Sequence, residues 1–424
     1  MAIRSGPLTF GQQGYFLYHE IDEKTHRRRW NLHWEWPVPP GVELSTLENV
    51  IRVLIARHEA LRTTYSYDEN GTPTQYVQPP EALPTVLSLD RAGGALTQHA
   101  RAEFDLASVP PVRFVIVAEG NAVRKVVCTA HHVALDGWSI SVLSSEYESL
   151  VAAASEAAAP ALSPVRRQPL DIVVEQLEPK AVRRSTRALD YWQEIVSSTQ
   201  CALPASDSSW RTHFRVSLTT GSALRATQLL AERWNLPASA VVLAAFGMQV
   251  RRYTTLSRFV VLSPCANRFS PADESLVTCL HQVAAIRLDT SKSPTLPEFA
   301  AQAARAAMVA GLHASYDCFE WYRLLASHGY LDKFRIDSWL AYNYLSHKIP
   351  RTAAYDESIR EWHYHELRTS DPKPYLGLYL LVTSGRGGLQ LTLSSNSAIL
   401  NPADAEPFLT AIENLLKQAA KDNT

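Results

Sequence analysis

Residues 151–169 divide the chain. The stretch opens Val-Ala-Ala-Ala-Ser-Glu-Ala-Ala-Ala-Pro, is poor in large apolar side chains and holds prolines. That is the composition of a helix end running into an interdomain linker. Strand and helix periodicities alternate on both sides of it, so the chain reads as an α+β protein of two units. Its 424 residues suffice for two or three ordinary domains. The expected division is residues 1–165 and residues 166–424.

In the first unit, Trp30, Leu32, Trp34 and Trp36 alternate with Asn31, His33 and Glu35, the period of a strand with one buried face, which Pro37 ends. The tryptophans are expected in the core rather than against a substrate. Ser45-Thr46-Leu47-Glu48 reads as a capping box, and Leu47, Val50, Ile51, Leu54 and Ile55 behind it form a stripe at helical spacing. Strands are expected at 63–67, 74–77, 112–117 and 123–128, the last two joined by the hairpin signal Glu119-Gly120-Asn121-Ala122. A helix is expected over 139–153, with Ile140, Leu143, Tyr147 and Leu150 on one face. In the second unit, helices are expected at 181–197, 222–234, 238–253, 296–312, 319–326 and 402–419. Strands are expected there at 213–218, 259–264, 282–288, 338–344, 376–383 and 389–394.

The charge balance, 41 Lys and Arg against 42 Asp and Glu for a net −1, gives no basic excess for nucleic acid or an anionic membrane. Cys128, Cys201, Cys265, Cys279 and Cys318 are an odd number without CxxC spacing, which argues against a zinc site and for a reducing compartment. The N-terminus lacks the apolar core of a signal peptide, and no apolar run is long enough to span a bilayer. The expected location is cytoplasmic, with no bound metal.

The candidate site is Thr129 to Ser139, where the strand ending near Cys128 runs through His131-His132 and the turn Asp136-Gly137 into a helix. Adjacent strand residues point to opposite faces, so one histidine should face a cavity and the other be packed. Neutral imidazole is suited to accept a proton near neutrality. Asp136 could hold the loop through an arginine, Gly137 permits an unusual backbone, and the helix start directs N–H groups toward a developing oxyanion. Taken singly, each piece also has a plain reading: a satisfied polar histidine, or Asp136 or Ser139 as the helix N-cap.

The combination His-His-x-x-x-Asp-Gly at residues 131–137 resembles the condensation domains of nonribosomal peptide synthetases, in the chloramphenicol acetyltransferase-like superfamily. Other segments resemble the family's motifs in order: Leu8-Thr9-Phe10-Gly11-Gln12-Gln13, then Arg57 to Thr63, Tyr191-Trp192, Asn267-Arg268 with Leu276 to Val283, and His313 to Glu320. The resemblance implies two chloramphenicol acetyltransferase-like lobes arranged as a V, with the active site in a tunnel between them. It implies a condensation-type acyltransferase that joins a carrier-bound phosphopantetheine thioester to an amine, forming an amide. The alternatives are an alcohol acceptor giving an ester, or a non-catalytic relative that recruits partners.

The resemblance makes His132 the catalytic candidate, with Gly137 lending backbone at the reacting carbonyl. His131, Asp136 and Arg268, the last as partner of Asp136, would support the site. No cofactor is expected on the chain itself. The phosphopantetheine arm would belong to an acyl or peptidyl carrier protein as donor, with a second carrier or a soluble amine or alcohol as acceptor. Nucleic-acid and membrane partners are not expected. Heterocyclisation relatives replace the histidine pair by Asp, and plant-type acyltransferases carry a late Asp-Phe-Gly-Trp-Gly; this chain does neither, whereas epimerisation relatives keep the histidines and the motif alone separates them poorly. A single condensation unit is expected, free-standing or excised. The opening motif departs from the family pattern, with Gly11 in place of Ala and Gly14-Tyr15 where an Arg is usual. Leu280-His281-Gln282-Val283 replaces Phe-Val-Asn-Thr.

Overall fold

The computed structural model describes residues 4–22, 24–80, 87–90, 103–119, 122–156, 158–199, 201, 203, 213–330, 339–345, 355–365, 377–385 and 387–422. They form two compact units. The first joins Met1–Ser185, Ala266–Gln282 and Asp317–Phe319, and the second holds Thr186–Cys265, Val283–Tyr316 and Glu320–Thr424. The division therefore does not follow a single cut after residue 165. Residues 266–282 stay with the first unit because Val277 and Cys279 are buried in its core.

The first unit holds β1 (Arg4–Pro7), α1 (Phe10–Ile21), α2 (Lys24–Arg27), β2 (Asn31–Pro37), α3 (Leu44–Arg57), β3 (Thr63–Tyr67) and β4 (Pro73–Val77). It continues with β5 (Leu87–Asp90), β6 (Val112–Glu119), β7 (Ala122–His131), α4 (Gly137–Ser155) and α5 (Pro169–Gln176). Its larger sheet runs β2-β7-β6-β5 and its smaller one β1-β4-β3. β2 and β6 flank β7 antiparallel, with Asn31 opposite His131 and Val112 opposite Ala130. That register fixes the end of β7, and His132 N–H then donates to Trp30 O at 2.8 Å.

The α3 stripe is buried throughout, against α4 residues Leu143, Tyr147 and Leu150. Trp36 is sealed between Tyr147 and Phe114, stacked at 4.4 and 5.7 Å. Each such side chain contributes about 1.5–3 kcal/mol on burial. Arg57 Nε and His58 Nε2 both reach the Glu146 carboxylate, at 3.1 and 2.7 Å, and clamp the end of α3 to α4. The capping box expected at Ser45 does not form. The chain is already helical at Leu44 with Glu43 as N-cap, so Ser45 falls inside the first turn. Arg27-Arg28-Arg29 lies in the helical turns before β2, with Arg29 Nε donating to Asp22 at 2.8 Å. The hairpin tip at Gly120-Asn121 lies outside the described residues.

α6 (Pro179–Ser198) spans residues of both units. The second unit otherwise has β8 (His213–Thr220), α7 (Gly221–Arg233), α8 (Ala238–Thr254), β9 (Arg258–Cys265), β10 (Gln282–Asp289) and α9 (Leu296–Leu312). After α10 (Cys318–Ser327) come β11 (Leu340–Tyr344), β12 (Arg360–His365), β13 (Leu378–Gly385), β14 (Gly388–Asn396) and α11 (Ala405–Lys421). The sheet order is β10-β9-β11-β13-β14-β8-β12, around a core that includes Phe246, Phe299, Phe408 and Ile412. The expected strands and helices of this half are present with ends shifted by a few residues; Ser338 and Leu376 lie outside the described residues. No helix among those described is long and apolar enough to cross a membrane.

Candidate active site

The site lies within the first unit, where the end of β7, the start of α4, the helix α1 and residues 266–282 come together. His131 is the last residue of β7 and is 1% exposed. Its Nδ1 accepts from Val133 N–H at 3.1 Å. His132, one residue further, is only half-buried. The two rings thus occupy different surroundings, as strand alternation requires.

Asp136 is the N-cap of α4 and accepts from Ser139 N–H at 2.9 Å. The same carboxylate takes Arg268 Nη1 and Nη2 at 2.8 and 3.1 Å and Leu280 N–H at 3.0 Å. Cap and ion-pair partner are therefore one residue. The pair is buried, with side chains 2% and 3% exposed. Burial alone would raise the Asp136 carboxyl, but Arg268 and the N–H donors hold it below the ordinary carboxylate value. Arg268 also donates to Thr278 O at 2.9 Å and Ala266 O at 3.0 Å. The Ser139 hydroxyl sits in the same network, accepting from Thr278 N–H at 3.0 Å. The motif turn and the 266–282 segment are thereby joined by many charge-assisted bonds.

Gly137 opens α4 and is exposed. It is not among the glycines with a left-handed backbone, so the expected conformational reason for glycine does not apply. Nothing lies within 4 Å of where its Cβ would be, so the position faces open space.

Three residues to which the sequence assigned no role in the site complete it, two of them, Tyr15 and His281, at positions where the chain departs from the family motifs. The Tyr15 ring lies flat on His132, centroids 3.9 Å apart and planes 6° apart. Cys279 Sγ stands 3.9 Å from His132 Nδ1. His281 Nδ1 is 2.9 Å from the Tyr15 hydroxyl, with its ring 5.5 Å from that of His132. The opening motif explains how Tyr15 gets there. Thr9 and Gln12 cap α1 reciprocally. A Cβ on Gly11 would lie 2.6 Å from Cys279 O and 2.8 Å from Leu280 Cα, and one on Gly14 2.9 Å from Cys318 Sγ. Only glycine lets α1 come this close, and Tyr15 follows Gly11 by one helical turn. The two departures at Gly11 and Gly14 were the available signal.

Burial pushes the His132 imidazole down to about 3, helped by His281 and opposed by Asp136 and by the backbone carbonyls of His132 and Leu135. The ring is therefore uncharged near neutrality, with a hydrogen on one nitrogen and a lone pair on the other. Burial likewise raises the Cys279 thiol well above its ordinary value, so it stays protonated. Among the described residues no group of three or more His, Cys, Asp or Glu side chains is placed to hold a metal ion.

The family model for the condensation domain matches residues 3–424. The chain belongs to the condensation-domain family. Among its relatives, chondramide synthase cmdD of Chondromyces crocatus is 30% identical over 277 residues, 60% of this chain and 7% of that protein. A linear gramicidin synthase of Brevibacillus parabrevis is 24% identical over 437 residues, 98% of this chain and 8% of that protein. The chain thus spans under a tenth of the length of these synthetases.

Three solved structures share the fold. A variant of the starter condensation domain of rhizomide synthetase RzmA, in complex with C8-CoA, has a TM-score of 0.75 at 18% identity, covering 99% of this chain and 96% of that one. The condensation domain that mediates chain release from the enacyloxin polyketide synthase has 0.73 at 17%, covering 99% and 83%. The X-domain from teicoplanin biosynthesis has 0.73 at 18%, covering 98% and 95%. The chloramphenicol acetyltransferase-like fold expected from the sequence is the fold of this family.

Proposed function

We propose that this condensation domain transfers an acyl or aminoacyl group from a carrier-bound phosphopantetheine thioester to an amine, forming an amide. The observation that carries the proposal is His132. Its imidazole is held uncharged against the face of Tyr15, with a lone pair on one ring nitrogen to accept a proton.

A base with a pKa of about 3 is too weak to deprotonate an alkylammonium ion. The acceptor therefore enters as the free amine. Attack on the thioester carbonyl places positive charge on the nitrogen and makes its N–H strongly acidic, and the His132 lone pair takes that proton. Collapse of the adduct re-forms the carbonyl and expels the donor's sulfur as thiolate, which takes the proton back from His132. Asp136 and Arg268 act on the loop rather than on the substrate. No step needs an acyl-enzyme, and the protonated, buried Cys279 is unsuited to one.

Mass spectrometry of acyl-loaded carrier proteins incubated with amines and alcohols tests the proposal. Amide products support it, ester products alone move it to an alcohol acceptor, and intact donors throughout reject it. A partner-recruiting relative is the second reading, since the X-domain from teicoplanin biosynthesis, whose fold this chain shares, has been solved in complex with OxyB.

Gly137→Ala separates fold from function. The added methyl meets nothing in the structure, and alanine suits a first helical turn, so the free energy of unfolding should stay within about 0.5 kcal/mol of the parent. Turnover should fall about tenfold or more if the donor carbonyl occupies that space.

A further inference from the structure

His281 stands beside His132, and the transfer steps give it no task. Its surroundings fix its proton. Among the described residues the Tyr15 hydroxyl makes one hydrogen bond, to His281 Nδ1 at 2.9 Å. Burial raises Tyr15 well above its ordinary value, with Cys279, Tyr18 and Asp136 acting in the same direction, so the phenol keeps its hydrogen and donates it. An imidazole that accepts at Nδ1 and is uncharged carries its hydrogen on Nε2. Burial lowers His281, Asp136 opposes this and Arg268 adds to it, so the ring is uncharged at neutrality.

The neighbouring His132 is uncharged too, with a lone pair on one ring nitrogen. Both side chains are partly exposed. The rings stand 5.5 Å apart. A reacting group of a few atoms is long enough to meet both rings across that separation. One ring can accept a proton there and the other can donate a hydrogen bond.

We propose that His281, held by Tyr15, is a further catalytic residue that donates a hydrogen bond from Nε2 to the oxygen of the reacting carbonyl. The assignment rests on the transfer reading. As the amine nitrogen bonds to the thioester carbon, the carbonyl π pair moves to oxygen, and the oxyanion accepts the bond from His281 without taking its proton. The amine proton goes to His132. When the carbonyl re-forms and the thiolate leaves with that proton, His281 is unchanged. A neutral imidazole suits this task, because a charged one would give its proton to the oxyanion. Tyr15 is a positioning residue: its hydroxyl sets the proton of His281 and its ring face supports His132.

The test has two independent parts. Nitrogen-15 NMR of histidine-labelled whole chain at neutral pH reads the proton positions directly. His281 should show hydrogen on Nε2 and His132 an uncharged ring, and Tyr15→Phe should release the His281 preference. A His281 signal with hydrogen on Nδ1, or a charged ring, overturns the assignment whether or not the protein turns over. In the second part, aminoacyl-loaded carrier protein and glycine methyl ester serve as donor and acceptor. His281→Leu should lower kcat about 10²–10³-fold with little change in KM, the cost of one lost oxyanion donor. His281→Gln, which keeps an N–H donor, should recover part of the loss. Equal losses in both variants, or none, overturn the role. A parent protein that is inactive on every loaded carrier while showing both expected ring states counts against the transfer reading, and the role of His281 falls with it.

Discussion

His132→Ala should lower product formation by about 10²–10⁴-fold, the range for loss of a positioned proton acceptor, and leave the fold intact. The side chain is half-buried and uncharged, so its removal strips the face of Tyr15 but leaves no buried charge uncompensated. Circular dichroism and the unfolding midpoint should stay near those of the parent, while mass spectrometry of the reaction shows the loss. A variant that retains full turnover removes His132 from the mechanism. The pH dependence adds a second check. With the imidazole at about 3, His132 stays unprotonated throughout the range near neutrality. An acid limb in the rate between about pH 6 and 9 should therefore move with the basicity of the amine supplied as acceptor. A limb fixed across amines of different basicity would mean that a group on the protein is titrating instead.

The parts of the site that are legible in the sequence are those that a local pattern dictates. Alternation along β7 separates His131 from His132, and the structure gives them different environments, one 1% exposed and the other half-buried. The stripe Leu47, Val50, Ile51, Leu54 and Ile55 is apolar at helical spacing, and all five residues are buried. The capping-box pattern puts the start of that helix too late, because it needs the chain to be extended at Ser45, which is already helical. The conformational reason expected for Gly137 fails similarly. The residue type stands out in the sequence, but its cause is space rather than torsion.

What is not legible depends on contacts between distant parts of the chain. No periodicity places Tyr15 on the face of His132, or Cys279 at its Nδ1, since those residues belong to a helix and to an irregular segment far away in sequence. The pattern at residues 8–15 shows that Gly11 replaces an alanine and that Gly14-Tyr15 stands where an arginine is usual, but not why. Their reason is the approach of α1 to Cys279 and Leu280, and that requires both segments in place. The same segment carries Arg268, whose pairing with Asp136 is expected from family resemblance and not from spacing.

Arg268→Ala should be the most destabilising single change at the site. It leaves the Asp136 carboxylate, 3% exposed, without its bidentate partner, a loss of about 3–5 kcal/mol for a buried pair. It also removes the donors to the carbonyls of Ala266 and Thr278, so the 266–282 segment loses its main tie to the start of α4. The pH dependence distinguishes this cause from ordinary loss of packing. In the parent, the Asp136 carboxyl is held below its value in the unfolded chain, so its contribution to stability is complete above that unfolded value. It is lost as pH falls through the lower, folded value. Without Arg268, burial dominates and the folded carboxyl rises above the unfolded value, so the variant should gain stability relative to the parent as the solution is acidified. Urea unfolding of both proteins at about pH 7 and pH 4 measures this. The gap between them should be widest at pH 7 and should narrow at pH 4; a gap independent of pH would mean that Arg268 contributes packing and not charge. Asp136→Asn keeps the shape of the cap but strands Arg268, and should be destabilising at both pH values, because the guanidinium does not titrate. Combined with Arg268→Ala, it should cost less than the sum of the two single changes, as expected when each removes the same interaction.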